Sequence, residues 1–196
     1  MKQILIKPGH QRHRLWPCML LLFTLLPVQT GLADTLSEEY TLKAALVYKL
    51  TRFVEWPINT DGKPRNHFGI CVLGRDDFGT ALDALEGRKV GDAFITVQRF
   101  NQSEGIGNSC QLVFISDSKR AFLKSILDSF GQRPLLTIGD STGFAENGGM
   151  IQLTQGENRI GFMINLQRAS SSGLKIAAPL LDLATIVKSG NAGNAR

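Results

Sequence analysis

The residues that most resemble catalytic machinery in this sequence run from Gly139 to Gly143 and read Gly-Asp-Ser-Thr-Gly. They fit the G-x-S-x-G pattern, in which a nucleophilic serine occupies a sharp turn between a strand and a helix. Such a serine needs a helix directly after it and a histidine later in the chain. Here the segment continues as Phe-Ala-Glu-Asn-Gly-Gly, and no histidine follows Ser141. We therefore predict a turn in which Asp140 and Ser141 bond local amides and the glycines supply positive φ angles.

A second catalytic pattern combines His67, Asp76 or Asp77, and Ser141 in the chain order of trypsin-like proteases. That geometry belongs to an all-β double barrel, whereas this sequence carries clear helical stripes. A serine hydrolase that uses Ser141 is therefore kept only as a remote alternative. His67 is also the only histidine after residue 33, and no acidic residue lies at ligand spacing from it, so no metal site is predicted.

Ser116 and Lys119 fit the S-x-x-K pair of serine acylating enzymes, but the companion motifs S-D-N and K-T-G are missing. The sequence also contains no G-x-G-x-x-G segment and no P-loop, so a bound nucleotide has no support. These matches do not combine into a nucleophile, a base and an oxyanion hole. We predict a binding or regulatory domain with no catalytic residue, no cofactor and no metal.

The first 33 residues have the features of a secretory signal peptide. They carry four basic residues and no acidic one, an apolar run from Leu15 to Leu26, and small residues at Gly31 and Ala33. The formal net charge of the whole chain is +5. Without residues 1–33, 18 basic residues remain against 17 acidic ones, a net charge of +1. No basic cluster is left for a phosphate backbone, so nucleic acid is not an expected partner.

Two cysteines, Cys71 and Cys110, remain after the predicted cleavage. Outside the cytosol an even number of cysteines usually indicates a disulfide. Cys71 falls in a predicted strand and Cys110 just before another, positions that could be neighbours in one sheet. The alternative is two buried free thiols.

Apolar periodicity predicts one α/β domain over residues 34–188, followed by a disordered tail at 189–196. A helix is expected from Ser37 to Trp56, and further helices end at Leu85, run from Ser118 to Phe130, begin after Asn165, and run from Leu180 to Lys188. The predicted strands are 67–73, 93–100, 111–116, 135–138, 150–153 and 160–164. This order indicates a single-domain three-layer sandwich of the Rossmann-like kind, with a mixed sheet of about six strands and helices on both faces.

Several segments together resemble the YfiR family, in order and over nearly the whole chain after residue 33. The clearest resemblance lies between residues 136 and 184. The matching segments are 43–49, 52–57, 70–74, 78–79, 110, 112–116, 136–140, 143–145, 148–151, 159–162, 164–166, 173–176 and 180–184.

The resemblance implies a periplasmic α/β protein, often a homodimer, that acts without catalysis. It also implies that the protein binds the periplasmic sensory domain of an inner-membrane diguanylate cyclase and holds it inactive. This lowers cyclic di-GMP and biofilm formation, and an outer-membrane lipoprotein relieves the block. Related domains serve histidine kinases as sensory modules, so a kinase partner or a small-molecule binding role stays open.

By their positions in the sequence, Cys71 and Cys110 match the two cysteines that form the long-loop disulfide of that family. The resemblance places partner contact on the last long strand and the segment after it, around Met163, Ala169 and Lys175. Some members hold small aromatic ligands with basic side chains near this final segment. Of those basic positions Lys175 is retained here, whereas Ala177 is neutral.

Overall fold

The computed structural model of the protein describes residues 31–57, 65–156 and 160–187. The predicted signal peptide at 1–33 lies almost wholly outside these residues, and the predicted disordered tail at 189–196 lies entirely outside them. The described helices are α1 (Gly31–Leu50), α2 (Thr80–Asp83), α3 (Leu123–Phe130), α4 (Leu166–Ser171) and α5 (Ala178–Leu181). The described strands are β1 (Val54–Glu55), β2 (His67–Leu73), β3 (Lys89–Val90), β4 (Ala93–Phe100), β5 (Leu112–Ile115), β6 (Leu136–Gly139), β7 (Ile151–Gln155), β8 (Ile160–Ile164), β9 (Lys175–Ile176) and β10 (Thr185–Ile186).

Eight of these strands form one mixed sheet in the order β10-β8-β7-β6-β5-β2-β4-β3. The five strands from β7 to β4 are parallel, whereas β8 and β3 run antiparallel to β7 and β4. A small second sheet pairs β1 with β9. The predicted α/β class and mixed sheet are confirmed, and all six predicted strands are present. The strand count is higher because β1, β3, β9 and β10 have two residues each, too few to show a period in the sequence.

Two apolar cores cover the two faces of the sheet, as a three-layer sandwich requires. In β2, Phe68, Ile70 and Val72 contact the core beneath α1 and α2, whereas Cys71 and Leu73 contact the core beneath α3. Successive side chains of a strand point to opposite faces, so a central strand needs apolar residues at every position. Apart from its first residue, the strand is buried throughout.

The first helix differs from its prediction at both ends. Ser37 lies inside α1, where its carbonyl accepts a hydrogen bond from the Thr41 hydroxyl at 2.8 Å, so it does not cap the helix. The helix ends at Leu50, before the Trp56-Pro57 step that was expected to stop it. The intervening residues form a 3-10 turn and then β1, which pairs with β9 about 120 residues further along the chain.

The start of α3 also differs from its prediction. Ser116, rather than Ser118, provides the cap, and its hydroxyl accepts from the Ser118 amide at the start of a 3-10 turn. Because this turn precedes α3, Phe122 leaves the predicted apolar stripe and is 63% exposed. Asn165, in contrast, caps α4 as predicted by accepting from the Arg168 amide at 3.0 Å.

The predicted helix from Leu180 to Lys188 is wrong. The helix α5 ends at Leu181, and the chain then forms β10, in which Thr185 and Ile186 pair with Met163 and Ile164 of β8. A helical spacing of leucines extends to this segment, but pairing with β8 decides its conformation.

Candidate functional site

The G-x-S-x-G segment forms a turn that folds back on itself. The side chain of Asn147 donates to the carbonyl oxygen of Gly143 at 2.7 Å, and the Phe144 amide donates to the carbonyl of Ser141 at 3.1 Å. Gly143 has a φ angle of 79°, which the turn requires and which glycine adopts without strain. Ser141 is buried, so it is not presented at the surface as the serine of a nucleophile elbow is.

The trypsin-like combination is not assembled either. Gly139 is aligned with Ile115, and Ile115 with Leu73, so the end of β6 lies level with the end of β2. His67 begins β2, six residues before Leu73, and at about 3.3 Å per residue the two ends are roughly 20 Å apart. Ser141 therefore lies beyond the carboxyl ends of the parallel strands, whereas His67 lies at their amino ends.

Asp140 is bound by helix α1, not by local amides as the sequence analysis predicted. Lys43 Nζ lies 2.5 Å from Asp140 Oδ2 and 2.6 Å from Glu39 Oε1. The Tyr40 hydroxyl donates to Asp140 Oδ2 at 3.2 Å, and its oxygen lies 3.4 Å from Asp77 Oδ2. We call these five residues the Lys43 cluster. They lie at the carboxyl ends of the parallel strands, which is where ligands bind in many α/β folds.

The Lys43 cluster is largely shielded from solvent, and its pKa shifts reflect this. Burial disfavours the charge on Lys43, but its hydrogen bonds to Asp140 and Glu39 outweigh that effect and raise the pKa of the ammonium group. Burial, and then the charges of Asp140 and Asp77, raise the pKa of the Tyr40 hydroxyl. Both groups thus keep their protons, and the ion pairs and hydrogen bonds of the cluster hold α1 against the sheet.

A separate network holds the turn after β2. Arg99 donates to Asp76 at 2.6 Å, to Asp83 at 2.7 Å and to the carbonyl of Gly79 at 3.1 Å. Within the described parts of the chain, no group of three or more histidine, cysteine, aspartate or glutamate residues is placed to hold a metal ion.

The three residues predicted to contact a partner do not share one face. Met163 of β8 is half-buried and points away from the core that contains its neighbour Ile164. Ala169 of α4 is fully buried in that core, so its side chain meets other parts of this chain. Lys175 is exposed on β9, in the small sheet whose Val54 and Ile176 pack on the same core. Met163 and Lys175 thus lie on different sides of the main sheet, and partner contact at either stays a prediction.

A more prominent surface lies at the β10 end of the sheet. Leu183 is 77% exposed and Ile186 is 48% exposed, and the outer side of β10 has no partner strand within the described residues. We call Leu183, Thr185 and Ile186 the β10 edge. Sequence reasoning missed it because it assigned these residues to a helix.

Cys71 and Cys110 form a disulfide whose Cα atoms are 5.9 Å apart. Both residues are buried in the core beneath α3, with exposed fractions of 0% and 5%. This burial places the bond among apolar side chains, where it joins β2 to the segment that leads into β5.

These features define a three-layer α/β domain that has an open apolar sheet edge and a buried ion pair at the carboxyl ends of its strands. The chain matches the YfiR/HmsC-like family over residues 40–185, and it belongs to that family. The family is one of periplasmic regulatory proteins. Within the parts of the chain that the structure describes, no helix is both long and apolar enough to cross a membrane.

A solved structure shares the fold. It is the crystal structure of a conserved domain protein from Vibrio cholerae O1 biovar El Tor, with a TM-score of 0.50 and 11% sequence identity. The match covers 76% of this chain and 60% of that chain. At this identity the likeness concerns the fold alone.

Proposed function

We propose that this protein is a non-catalytic periplasmic regulator that binds the sensory domain of an inner-membrane diguanylate cyclase and represses it. Family membership carries the proposal. The β10 edge supports it, because an unpaired strand with exposed apolar side chains can accept a further strand or an apolar surface from another protein.

The two ends of the sheet differ in a way that favours the β10 edge as the contact. At the other end, β3 exposes Lys89, whose ammonium lies 5.2 Å from the centre of the Phe94 ring. A lysine on an edge strand opposes pairing with another chain, whereas Thr185 and Ile186 carry no charge. The sensory domain would therefore dock at β10, next to Met163, which is aligned with Thr185.

Repression requires that the protein prefer one conformation of its partner. To take a cyclase from mostly active to mostly inactive, it must bind the inactive form about 10⁴-fold more tightly. A domain with two packed cores and a disulfide offers a rigid surface for that selection. An outer-membrane lipoprotein would then relieve repression by competing for this protein.

The test is the cellular concentration of cyclic di-GMP after deletion of the gene and its replacement with variants. Deletion should raise the concentration, and both the wild type and Ser141→Ala should restore it, because Ser141 takes no part in the function. Ile186→Asp should fail to restore it. Phe94→Asp is the matched control, since Phe94 is also 48% exposed but lies at the other end of the sheet.

Other outcomes of this experiment would indicate a different function. No change on deletion would refute the cyclase partner and point to a histidine kinase. Restoration by wild type but not by Ser141→Ala would refute the non-catalytic assignment. If Ile186→Asp converted a homodimer into a monomer yet still repressed, the β10 edge would be the contact between two copies of this chain.

A further inference from the structure

The outer side of β4 is covered by a neighbouring strand over only part of its length. The strand has eight residues, but β3 is aligned only with residues 93 and 94. Ile95 then exchanges two hydrogen bonds with residues 87 and 88, at 3.0 and 2.7 Å. From residue 96 onward, no strand within the described ranges lies on this side of β4.

The main-chain groups of alternate β4 residues face this open side. The Phe94 amide and the Phe100 carbonyl bond to residues that flank β2, whereas Ile95 bonds on the outer side. Because the direction of these groups alternates along a strand, Val97 and Arg99 also direct their amides and carbonyls outward. We call residues 97–99 the β4 edge.

A side chain, not a strand, accepts the hydrogen bond of the Val97 amide. The acceptor is Glu86 Oε2, at 2.8 Å. Glu86 lies in the turn between α2 and β3, where its own amide donates to the carbonyl of Asp83 at 3.0 Å. The Val97 carbonyl and both outward groups of Arg99 have no partner in the part of the chain that the structure describes. One outward group of the β4 edge is therefore occupied, and a carboxylate occupies it.

The β4 edge has the geometry to pair with a second copy of itself. In an antiparallel pair centred on Gln98 of both copies, Val97 of each copy faces Arg99 of the other. Each of these two pairs exchanges two hydrogen bonds, so every outward group of both copies gains a partner about a twofold axis. The guanidinium group of Arg99 does not oppose this, because it already bonds to Asp76 and Asp83 at 2.6 and 2.7 Å.

We propose that the β4 edge is a second strand-pairing surface and that the Glu86 carboxylate keeps it closed to a second copy of this chain. Pairing requires the partner's carbonyl at the Val97 amide, which is the position that Glu86 Oε2 occupies. An ionised carboxylate has no proton to donate, and its charge repels the partial negative charge of that carbonyl. Charged side chains protect edge strands from pairing in this way. The sheet thus has one open end at β10 and one end that a side chain closes.

Hydrogen exchange of ¹⁵N-labelled protein without its predicted signal peptide tests the contact at Val97. In the wild type, the Val97 amide should exchange at least about tenfold more slowly than the Arg99 amide, which faces the same side without a partner. Glu86→Ala should remove this difference. Glu86→Gln should retain most of it, because the amide oxygen of glutamine is also an acceptor. Equal exchange of the two amides in the wild type would overturn the proposal.

Sedimentation velocity tests whether the uncovered edge pairs. Glu86→Ala should form dimers with a dissociation constant at least about tenfold lower than that of the wild type. Asp92→Ala is the matched control, because Asp92 is also an exposed acid but lies in the turn between β3 and β4. It should associate no more than the wild type does. Unchanged association in Glu86→Ala, or an equal gain in Asp92→Ala, would contradict the proposal.

Two double variants assign the dimer contact to β4. Thr96→Lys combined with Glu86→Ala should abolish association, because a lysine on an edge strand opposes pairing. Ile186→Asp combined with Glu86→Ala should leave association unchanged, because Ile186 lies at the other end of the sheet. Loss of the dimer with Ile186→Asp would assign the contact to the β10 edge and overturn the proposal. These measurements need no signalling partner, so they succeed or fail independently of the proposed function.

Discussion

Lys43 Nζ and Asp140 Oδ2 lie 2.5 Å apart, although the two residues are 97 positions apart in the sequence. The side chains are 7% and 11% exposed, so the ion pair is shielded from solvent. Through this contact the first helix is bound to the turn that follows β6. That turn contains the G-x-S-x-G segment, so this contact holds the segment against α1.

Replacement of Lys43 by methionine should lower the free energy of unfolding by about 3 kcal/mol. The reason is that the carboxylate of Asp140 would stay buried without its partner. Urea denaturation measures the change. Lys124→Met is the matched control, because the Lys124–Asp128 pair is 79% and 66% exposed and should contribute less than about 1 kcal/mol. Equal losses in the two variants would contradict this account of the Lys43 cluster.

Stability should fall at alkaline pH. The pKa values of Lys43 and Tyr40 are both raised above their ordinary values of 10.5 and 10.0. Above about pH 10 the unfolded chain releases these protons while the folded protein retains them, so unfolding becomes more favourable as pH rises. Urea denaturation between pH 7 and 11 should show this fall, and Tyr40→Phe should make it shallower. A wild-type slope in Tyr40→Phe between pH 10 and 11 would be inconsistent with the shift.

The disulfide should be structural. Because it closes a loop between residues 39 positions apart, its loss in Cys71→Ala/Cys110→Ala should lower the free energy of unfolding by about 4 kcal/mol in the chain-entropy description. Both cysteines are buried, so dithiothreitol should expose thiols to a maleimide reagent only after denaturant is added. Rapid labelling in native buffer with the reductant would instead indicate a redox switch.

Gly149 should be intolerant of even one added methyl group. A Cβ atom at Gly149 would lie 2.1 Å from the Phe144 ring, which is fully buried. Gly149→Ala should therefore lower the free energy of unfolding by about 1–3 kcal/mol. Gly107→Ala is the control, since a Cβ there meets nothing within 4 Å. Similar thermal unfolding of both variants would show that the Phe144 ring can move aside.

The G-x-S-x-G pattern led to the wrong explanation of why residue 139 is a glycine. The glycine opens the G-x-S-x-G segment, and the sequence analysis attributed the glycines there to positive φ. That holds for Gly143, but Gly139 lies in β6, and a Cβ there would approach the Phe144 ring to 2.5 Å. Close packing of a ring explains this glycine, and no local pattern could have revealed it.

The sequence by itself determined the family, the α/β class and the long strands. Runs such as His67–Leu73 and Ile160–Ile164 were predicted with their observed bounds because consecutive residues carry the pattern of a buried strand. The cap of α4 at Asn165 was predicted for the same reason, since a cap depends on residues three positions apart.

Only the tertiary structure decided the contacts between distant segments. It made Thr185 and Ile186 an edge strand instead of a helix, buried Ala169 of α4 in the core beneath α1 and α2, and placed Lys43 on Asp140. It also brought Arg120, Glu146 and Arg168 to the lining of one surface cleft. Each of these depends on which strands become neighbours in the sheet, and a local period along the chain carries no information about that choice.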